Sequence, residues 1–517
     1  MKIAMLEARS SMKNVFDYTN QPLMAPPLLG QILVEKGHHV ECFAPQLAPV
    51  DWNYVLNQAD VVGITALTLT AEAAYEDART CKLYRKTVVM GGPHVSFLPD
   101  EALENGADFV VRKEGHATFP ELIEAIEKKM TDFSHILGLS WKDADGKHIH
   151  NQDRPFCTQE EFERLPVPDI KLIHGYGKLT SVPILTQSGC TDRCEFCAVI
   201  QMCGRQIRHR TVESILTELK EMIAIYGPGV SIFFCADNFF AQKSQAEELL
   251  REIIRQKLII EGGLQMRIDT VCNKKLEVDD DLLSLIYEAG IKMVYLGLES
   301  PNQETLDIYG KRLTIRQIEV GVGALARKGL HTHGMFALGG DTDDETVFKK
   351  VVKFARRIRL HTAQFLDLMP LPGTPLYQRL DGEGRILTKK WGMYNGQFAV
   401  IKPKLMSPHR LQVGSMWATA KFYSRFWTAW MIFLSLPQIL WLLIRYHRLR
   451  LNVVKAGFAL LAKKKDILRI ISDKLPPDVE AKIIHSIRLP VIRFWARNQL
   501  GMVKAQVRGY EKLLRAC

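Results

Sequence analysis

Twice along this 517-residue chain, short apolar runs alternate with helical patterns, and that rhythm limits the fold more than any other feature. In the first 120 residues, KIAMLEA, HHVECFAP, ADVVGITAL, KTVVMGGPH and ADFVVRKEG read as five buried strands. PPLLGQILVEKG, AEAAYEDARTCKLYR, DEALENG and FPELIEAIEKK supply helices between and after them. Apolar strands joined by helical crossovers predict an α/β domain with a doubly wound parallel sheet over residues 1–130. Ligands of such sheets lie beyond the carboxyl ends of the strands, where strand order reverses.

A connecting segment, 131–180, reads as a hairpin at ILGLSWKDADGKHIHNQ followed by the extended RLPVPDIKLI. The second series then runs over 181–385. VPILTQ, VSIFFCADN, GLQMRID, IKMVYLGLES, HTHGMFALGG and TAQFLDLMPL are its strands, each followed by a helical pattern. A full or partial β/α barrel of the TIM type is expected, with its chemistry in the loops after the strands. Residues 386–517 lose the strand pattern and form a basic helical C-terminal region.

Charge divides along the same line. From Ile401 onward there are 22 Lys and Arg against five acids, so this tail carries about +17 against a net +11, and the first 400 residues are acidic. Inside the tail, FWTAWMIFLSLPQILWLLI (426–444) has no charge and is bracketed by Arg425 and Arg445. It suits a helical hairpin broken at Pro437, an in-plane or re-entrant membrane contact, or a span. A membrane surface is thus a candidate partner through 421–450. No RNA-binding module is evident, and no specific nucleic acid is expected. The N-terminus lacks a secretory pattern, and ten clustered cysteines are too few for a disulfide scaffold. Both point to a cytoplasmic protein, with possible attachment to the cytoplasmic membrane face.

Four of those cysteines crowd into SGCTDRCEFCAVIQMCG, directly after the first strand of the second series. Cys190, Cys194 and Cys197 are close enough for one loop to wrap around one metal centre. A structural zinc would need a fourth ligand, for which Cys203 or His209 are available. Three thiolates on a four-iron cluster would leave one iron open to a substrate or cofactor.

CTDRCEFC resembles the CxxxCxxC signature of the radical S-adenosylmethionine (SAM) enzymes, including the aromatic Phe196 before the last cysteine. The resemblance implies that Cys190, Cys194 and Cys197 ligate a [4Fe-4S] cluster whose open iron chelates SAM, which is then cleaved to a 5′-deoxyadenosyl radical. Other segments agree in order. CADNFF offers Asp237 and Asn238 near the methionyl amine, QMRID places Arg267 toward the carboxylate, and LGLES puts Glu299 and Ser300 at the ribose or methionine. GMFALGGDTDDE is similar to the segment near adenine, and PLPGTPLY to a late-barrel turn. Cys203 falls outside the motif spacing and reads as a structural thiol.

Upstream of such a barrel, the N-terminal sheet resembles the Rossmann-like cobalamin-binding domain of the cobalamin-dependent radical SAM proteins. That group includes the anaerobic magnesium-protoporphyrin ester cyclase, the hopanoid methylase and the P-methyltransferases. The matching stretches are VVGITALTLT, MGGPHVSFLPDEAL and ADFVVRKEGHATFPEL. They nominate Thr65, Thr68, Gly91, Gly92, Pro93, His94, Glu114 and Gly115 as cobalamin neighbours. Two departures stand out: DxHxxG is absent, so no histidine is expected to ligate cobalt, and RKEGH replaces the usual GEGE.

The expectation is therefore a cobalamin-dependent radical SAM methyltransferase acting on an unactivated carbon of a lipophilic small molecule. An electron donor such as flavodoxin or ferredoxin would reduce the cluster. Two other readings remain open. One is a radical enzyme without a cobalamin requirement, such as an oxidative cyclase. The other is a metal-stabilised protein that binds membrane or nucleic acid.

Overall fold

The computed structural model describes residues 1–10, 12, 21–424 and, near the C-terminus, 507, 508, 510, 511, 514 and 515. The apolar stretch 426–444, and the basic tail around it, lie outside the described residues. Among the described residues, no helix is long and apolar enough to cross a membrane.

The first sheet contains β1 (Lys2–Glu7), β2 (His39–Phe43), β3 (Val61–Thr65), β4 (Thr87–Gly91) and β5 (Phe109–Val111). It continues through the antiparallel hairpin β6 (Leu139–Lys142) and β7 (His148–His150), giving the order β2-β1-β3-β4-β5-β6-β7. The first five strands are parallel, as their apolar runs and helical crossovers demand. Strand order reverses at the β1/β3 junction, so the crevice for a ligand lies beyond Glu7 and Thr65. Helices cover both faces, and β1 and β3 are buried almost without interruption. The hairpin anticipated in the connecting segment forms and joins this sheet. Asn151 fastens its base through hydrogen bonds to the carbonyls of Phe133 and Ile136.

The second sheet contains β8 (Val182–Leu185), then, beyond the short antiparallel pair β9 (Gln187–Ser188) and β10 (Arg208–His209), β11 (Val230–Cys235), β12 (Ile260–Met266), β13 (Ile291–Glu299), β14 (His331–Leu338) and β15 (Thr362–Asp367). The order is β15-β14-β13-β12-β11-β8 and every ladder within it is parallel. Among the described residues, six strands with edges at β8 and β15 make a partial barrel. These strands alternate where those of the first sheet do not. In β14, His331, Gly334, Phe336 and Leu338 are buried, whereas His333, Met335 and Ala337 are only half-buried. One face packs against helices, and on the other the ring of Tyr295 meets Phe233 edge-on at 5.5 Å and lies tilted to His333 at 5.2 Å. The surrounding helices are amphipathic. In 347–357, Val347, Phe348, Val351, Val352, Phe354 and Ala355 are buried, and the lysines between them face water.

The described part of the C-terminal region folds back on both sheets. Trp391–Met393 docks against the first: Trp391 Nε1 donates to Glu101 (2.7 Å) and the Gly392 N–H to Glu72 (3.3 Å). The helix Pro408–Phe422 packs on β15, with Phe422 edge-on to Phe365 at 5.7 Å.

Candidate functional site

The cysteine loop leaves the carboxyl end of β8 through β9 and returns through β10. At its entrance Gly189 has φ +95°, and a Cβ there would stand 2.2 Å from the Gln206 carbonyl oxygen. Only glycine lets the outgoing and returning backbones approach so closely. Cys190, Cys194 and Cys197 are half-buried on this loop. Burial pushes all three thiols up, that of Cys197 to about 12, so without a metal they stay protonated at neutral pH. A bound cation would supply the charge that holds them as thiolates.

Charge pairs fix the loop from two sides. Asp192 accepts from Arg267 Nη1 (2.6 Å) and Arg312 Nη2 (2.8 Å). Burial raises its carboxyl, but the two guanidiniums outweigh this and hold it below the usual range. Glu195 accepts from Arg379 (3.1 Å), which also binds Asp341 (2.7 Å), and the Glu195 carbonyl accepts the Leu376 N–H (3.0 Å). GGDTDDE and PLPGTPLY are thereby tied to the cysteine loop, and Thr374 caps the helix of the latter at Tyr377 N. Phe196 sits edge-on to buried Tyr309 at 5.2 Å.

The strand ends converge on the same place. Asp237 follows β11; it keeps solvent contact, yet the surrounding protein raises its carboxyl to about 6. Asn238 Oδ1 is buried with no hydrogen-bond partner, and the Asn238 carbonyl accepts from Gln187. Arg267 Nε and Nη2 hold Asp269, and Nη2 also reaches the Lys311 carbonyl (3.0 Å). Its first duty is therefore to hold Asp192. Glu299, at φ +58° on a bulge of β13, pairs with Lys311 Nζ at 2.7 Å. Ser300 is fully buried, its hydroxyl accepting the Asn302 N–H.

Cys203 and His209 each have protein partners of their own. The Cys203 thiol turns to Ser188, burial raising it to about 11, and His209 is held at its ring and main chain by Gln159. Among the described residues, the group of His, Cys, Asp or Glu ligand atoms gathered within 4.8 Å is Glu114, His116 and Cys157; neither the three motif thiols nor these with Cys203 are drawn together as closely.

At the facing end of the first sheet, Thr65 closes β3, and Thr68 is buried in the turn Thr68–Thr70. Gly91 ends β4, and Gly92 turns at φ +101°, where a Cβ would stand 2.8 Å from the Ala66 carbonyl oxygen and 3.1 Å from Thr65 Oγ1. Pro93 opens a short helix, and Gly115 opens the helix Gly115–Glu127. The turns beyond β3 and β4 are thus packed backbone against backbone at the strand ends, where a ligand of this fold lies. His94 does not join it. It is fully buried against Trp391 (4.8 Å between rings) and 3.6 Å from Glu101, packing the first sheet onto the C-terminal region. Glu114 is also committed: Oε1 accepts from Arg208 (2.5 Å) and Oε2 from the Cys157 N–H (2.9 Å).

Lys311 and Arg208 escaped the sequence reading. Both lie in short polar runs, YGKRL and QIRHR, and only the folded chain brings them to Glu299 and Glu114.

Comparison with known proteins matches this geometry. Residues 184–351 match the family described as the Radical SAM superfamily, and residues 28–123 match the B12 binding domain. An uncharacterized methyltransferase of Pyrococcus horikoshii is 30% identical over 440 residues, 82% of this chain and 93% of that protein. The hopanoid C-2 methylase of Rhodopseudomonas palustris is 26% identical, over 64% of this chain and 59% of that protein. OxsB, a cobalamin-dependent SAM radical enzyme solved with aqua-cobalamin and SAM bound, shares the fold. Its TM-score is 0.66 at 15% identity, covering 100% of this chain and 80% of OxsB.

Proposed function

The chain belongs to the radical SAM enzymes that carry an N-terminal B12-binding domain, and on that premise we propose that it methylates an unactivated carbon of a lipophilic small molecule. Its cofactors are a [4Fe-4S] cluster, SAM and cobalamin. The observation that carries the reading is the link between a three-cysteine loop and the βα turns of the first sheet, joined through Arg208 and Glu114. Bound together, the cofactors supply a hydrogen-abstracting radical and a methyl group for a carbon with no lone pair or acidic proton.

The protein's part is to place and shield. Cys190, Cys194 and Cys197 would hold three irons, and Asp192 keeps their loop against β12 and the 310–312 turn. Asn238 Oδ1, a buried acceptor without a partner, would take an ammonium N–H of SAM, with Asp237 adding negative charge beside it. Arg267 retains one unused Nη1 hydrogen for the carboxylate, and Glu299 would meet the ribose side, with buried Ser300 holding the turn behind it. Phe196 and Tyr309 exclude water behind the loop. Thr65, Thr68, Gly91, Gly92 and Pro93 would face the corrin. His94 and the carboxylate of Glu114 would support that surface from behind. A flavodoxin or ferredoxin would deliver electrons, and the basic tail with 426–444 would bring the protein to the cytoplasmic membrane face, where a lipophilic substrate resides.

The test is anaerobic reconstitution with iron, sulfide and hydroxocobalamin, then incubation with SAM, reductant and a host lipid extract. Mass spectrometry should find 5′-deoxyadenosine and a lipid one methylene heavier than its precursor. A product lighter by hydrogens, with no methyl gain, would replace methylation by oxidation or cyclisation.

A further inference from the structure

We infer that Arg208 is a positioning residue that sets the separation of the two cofactors by clamping the B12-binding domain to the cysteine loop. The inference rests on the two-cofactor reading above. Arg208 is completely buried on β10, the returning limb of that loop. Its Nη1 donates to Glu114 Oε1 (2.5 Å), at the start of the last helix of the B12-binding domain, and contacts Cys157 at its carbonyl (3.3 Å) and sulfur (2.9 Å). Its Nη2 donates to the carbonyl of Cys203, six residues beyond Cys197. Phe156 and Phe162 lie within 6 Å of the guanidinium and keep water away.

One planar cation thus touches three separate stretches of chain: the B12-binding domain, the connecting segment and the cysteine loop. Glu114, His116 and Cys157 are spaced as if for a metal ion, but the guanidinium already stands against two of the three. A fixed fork suits this better than an ion, because its donors point in set directions and transmit position between the partners. Buried and desolvated, such a pair is costly to break from one side, because the partner left behind keeps an uncompensated charge.

The separation matters because the methyl-bearing and radical-forming centres must serve one substrate carbon in turn, and a misplacement of about 1 Å costs about a hundredfold in rate. The test uses the full chain with Arg208→Met, Arg208→Lys and Glu114→Gln. Hydrogen exchange on the cofactor-free protein should show amides in 109–116 and 199–208 exchanging about tenfold faster in R208M and E114Q, and less so in R208K. Amides of the 347–357 helix should be unchanged, which separates a loosened clamp from a misfolded protein. Unchanged exchange in both segments overturns the proposal. Loaded with cluster and hydroxocobalamin and reduced to the paramagnetic states, the wild type should give one narrow cluster-to-cobalt distance by pulsed EPR, and R208M a broadened one. Identical distributions overturn the proposal as well. If the wild type takes up no hydroxocobalamin, the two-cofactor reading falls, and hydrogen exchange alone still decides whether Arg208 is the clamp.

Discussion

The two loop ends that face each other are held by different forces. At the barrel, fixed charges do the work: Asp192 lies between Arg267 and Arg312, Glu299 on Lys311, and Glu195 with Asp341 on Arg379. At the first sheet, the Ala66 N–H donates to the Gly91 carbonyl (2.8 Å), the His94 N–H to the Ala66 carbonyl (3.2 Å), and Thr70 closes its turn on Leu67 (3.1 Å). The contrast teaches what each end is shaped to receive. An anionic cluster and a zwitterionic ligand need placed charges, whereas a wide macrocycle needs backbone cleared of side chains. Damage to the barrel end should therefore disturb charge and iron, and damage to the turns beyond β3 and β4 should disturb only fit.

Cys194→Ala is the sharpest break of that comparison. Iron content after reconstitution and 5′-deoxyadenosine formation should fall to background, as with Cys190→Ala or Cys197→Ala, whereas Cys203→Ala should retain both. If Cys203→Ala loses its iron, the three-ligand site is wrong. Next comes Asp192→Asn, which takes the negative charge from between Arg267, still held by Asp269, and the exposed Arg312. A loss of about 2 kcal/mol in denaturant unfolding is expected, with weaker cluster retention. At the sheet end, Gly92→Ala should lower hydroxocobalamin affinity about tenfold, through the clash at Ala66 and the strained φ, and leave iron content untouched. Equal damage to both cofactors would erase the distinction between the ends.

The smallest effect concerns pH. Glu7, at the end of β1, is buried, and burial lifts its carboxyl to about 7 against the hydrogen bonds from Gln46 and the Leu23 N–H. Its folded value lies above the unfolded 4.5, so its contribution is full below 4.5 and is lost as pH rises through 7. Wild-type melting should drop by about 2 °C more than that of Glu7→Gln between pH 5.5 and pH 8. Parallel melting curves for the two would show that Glu7 does not titrate in this range.

Much of this was legible because it is local. Apolar runs such as VVGIT and TVVMG announce buried strands wherever they occur, and CTDRCEFC states its chemistry within eight residues. What stayed hidden depends on partners far along the chain. Nothing in QIRHR says that Arg208 will meet Glu114, and nothing in YGKRL marks Lys311 as buried beside Glu299. His94 shows the opposite error: its GGPH setting promises a ligand-facing residue, but Trp391 covers it. A turn that closes over a loop from hundreds of residues away leaves no trace in that loop.

The hairpin β6–β7 has a practical consequence for anyone cutting this molecule apart. β5 is only three residues long, and without the hairpin a parallel sheet would end on a bare rim, open to pairing between molecules. Arg112, just past β5, is buried and draws its acceptors from the hairpin and the three residues after it. They are the carbonyls of Leu139 and Asn151, the hydroxyl of Ser140 and the carboxylate of Asp153. A fragment stopping at Glu127 would keep the guanidinium and discard its acceptors. A piece of the N-terminal half that stops short of Asp153 is therefore expected to aggregate.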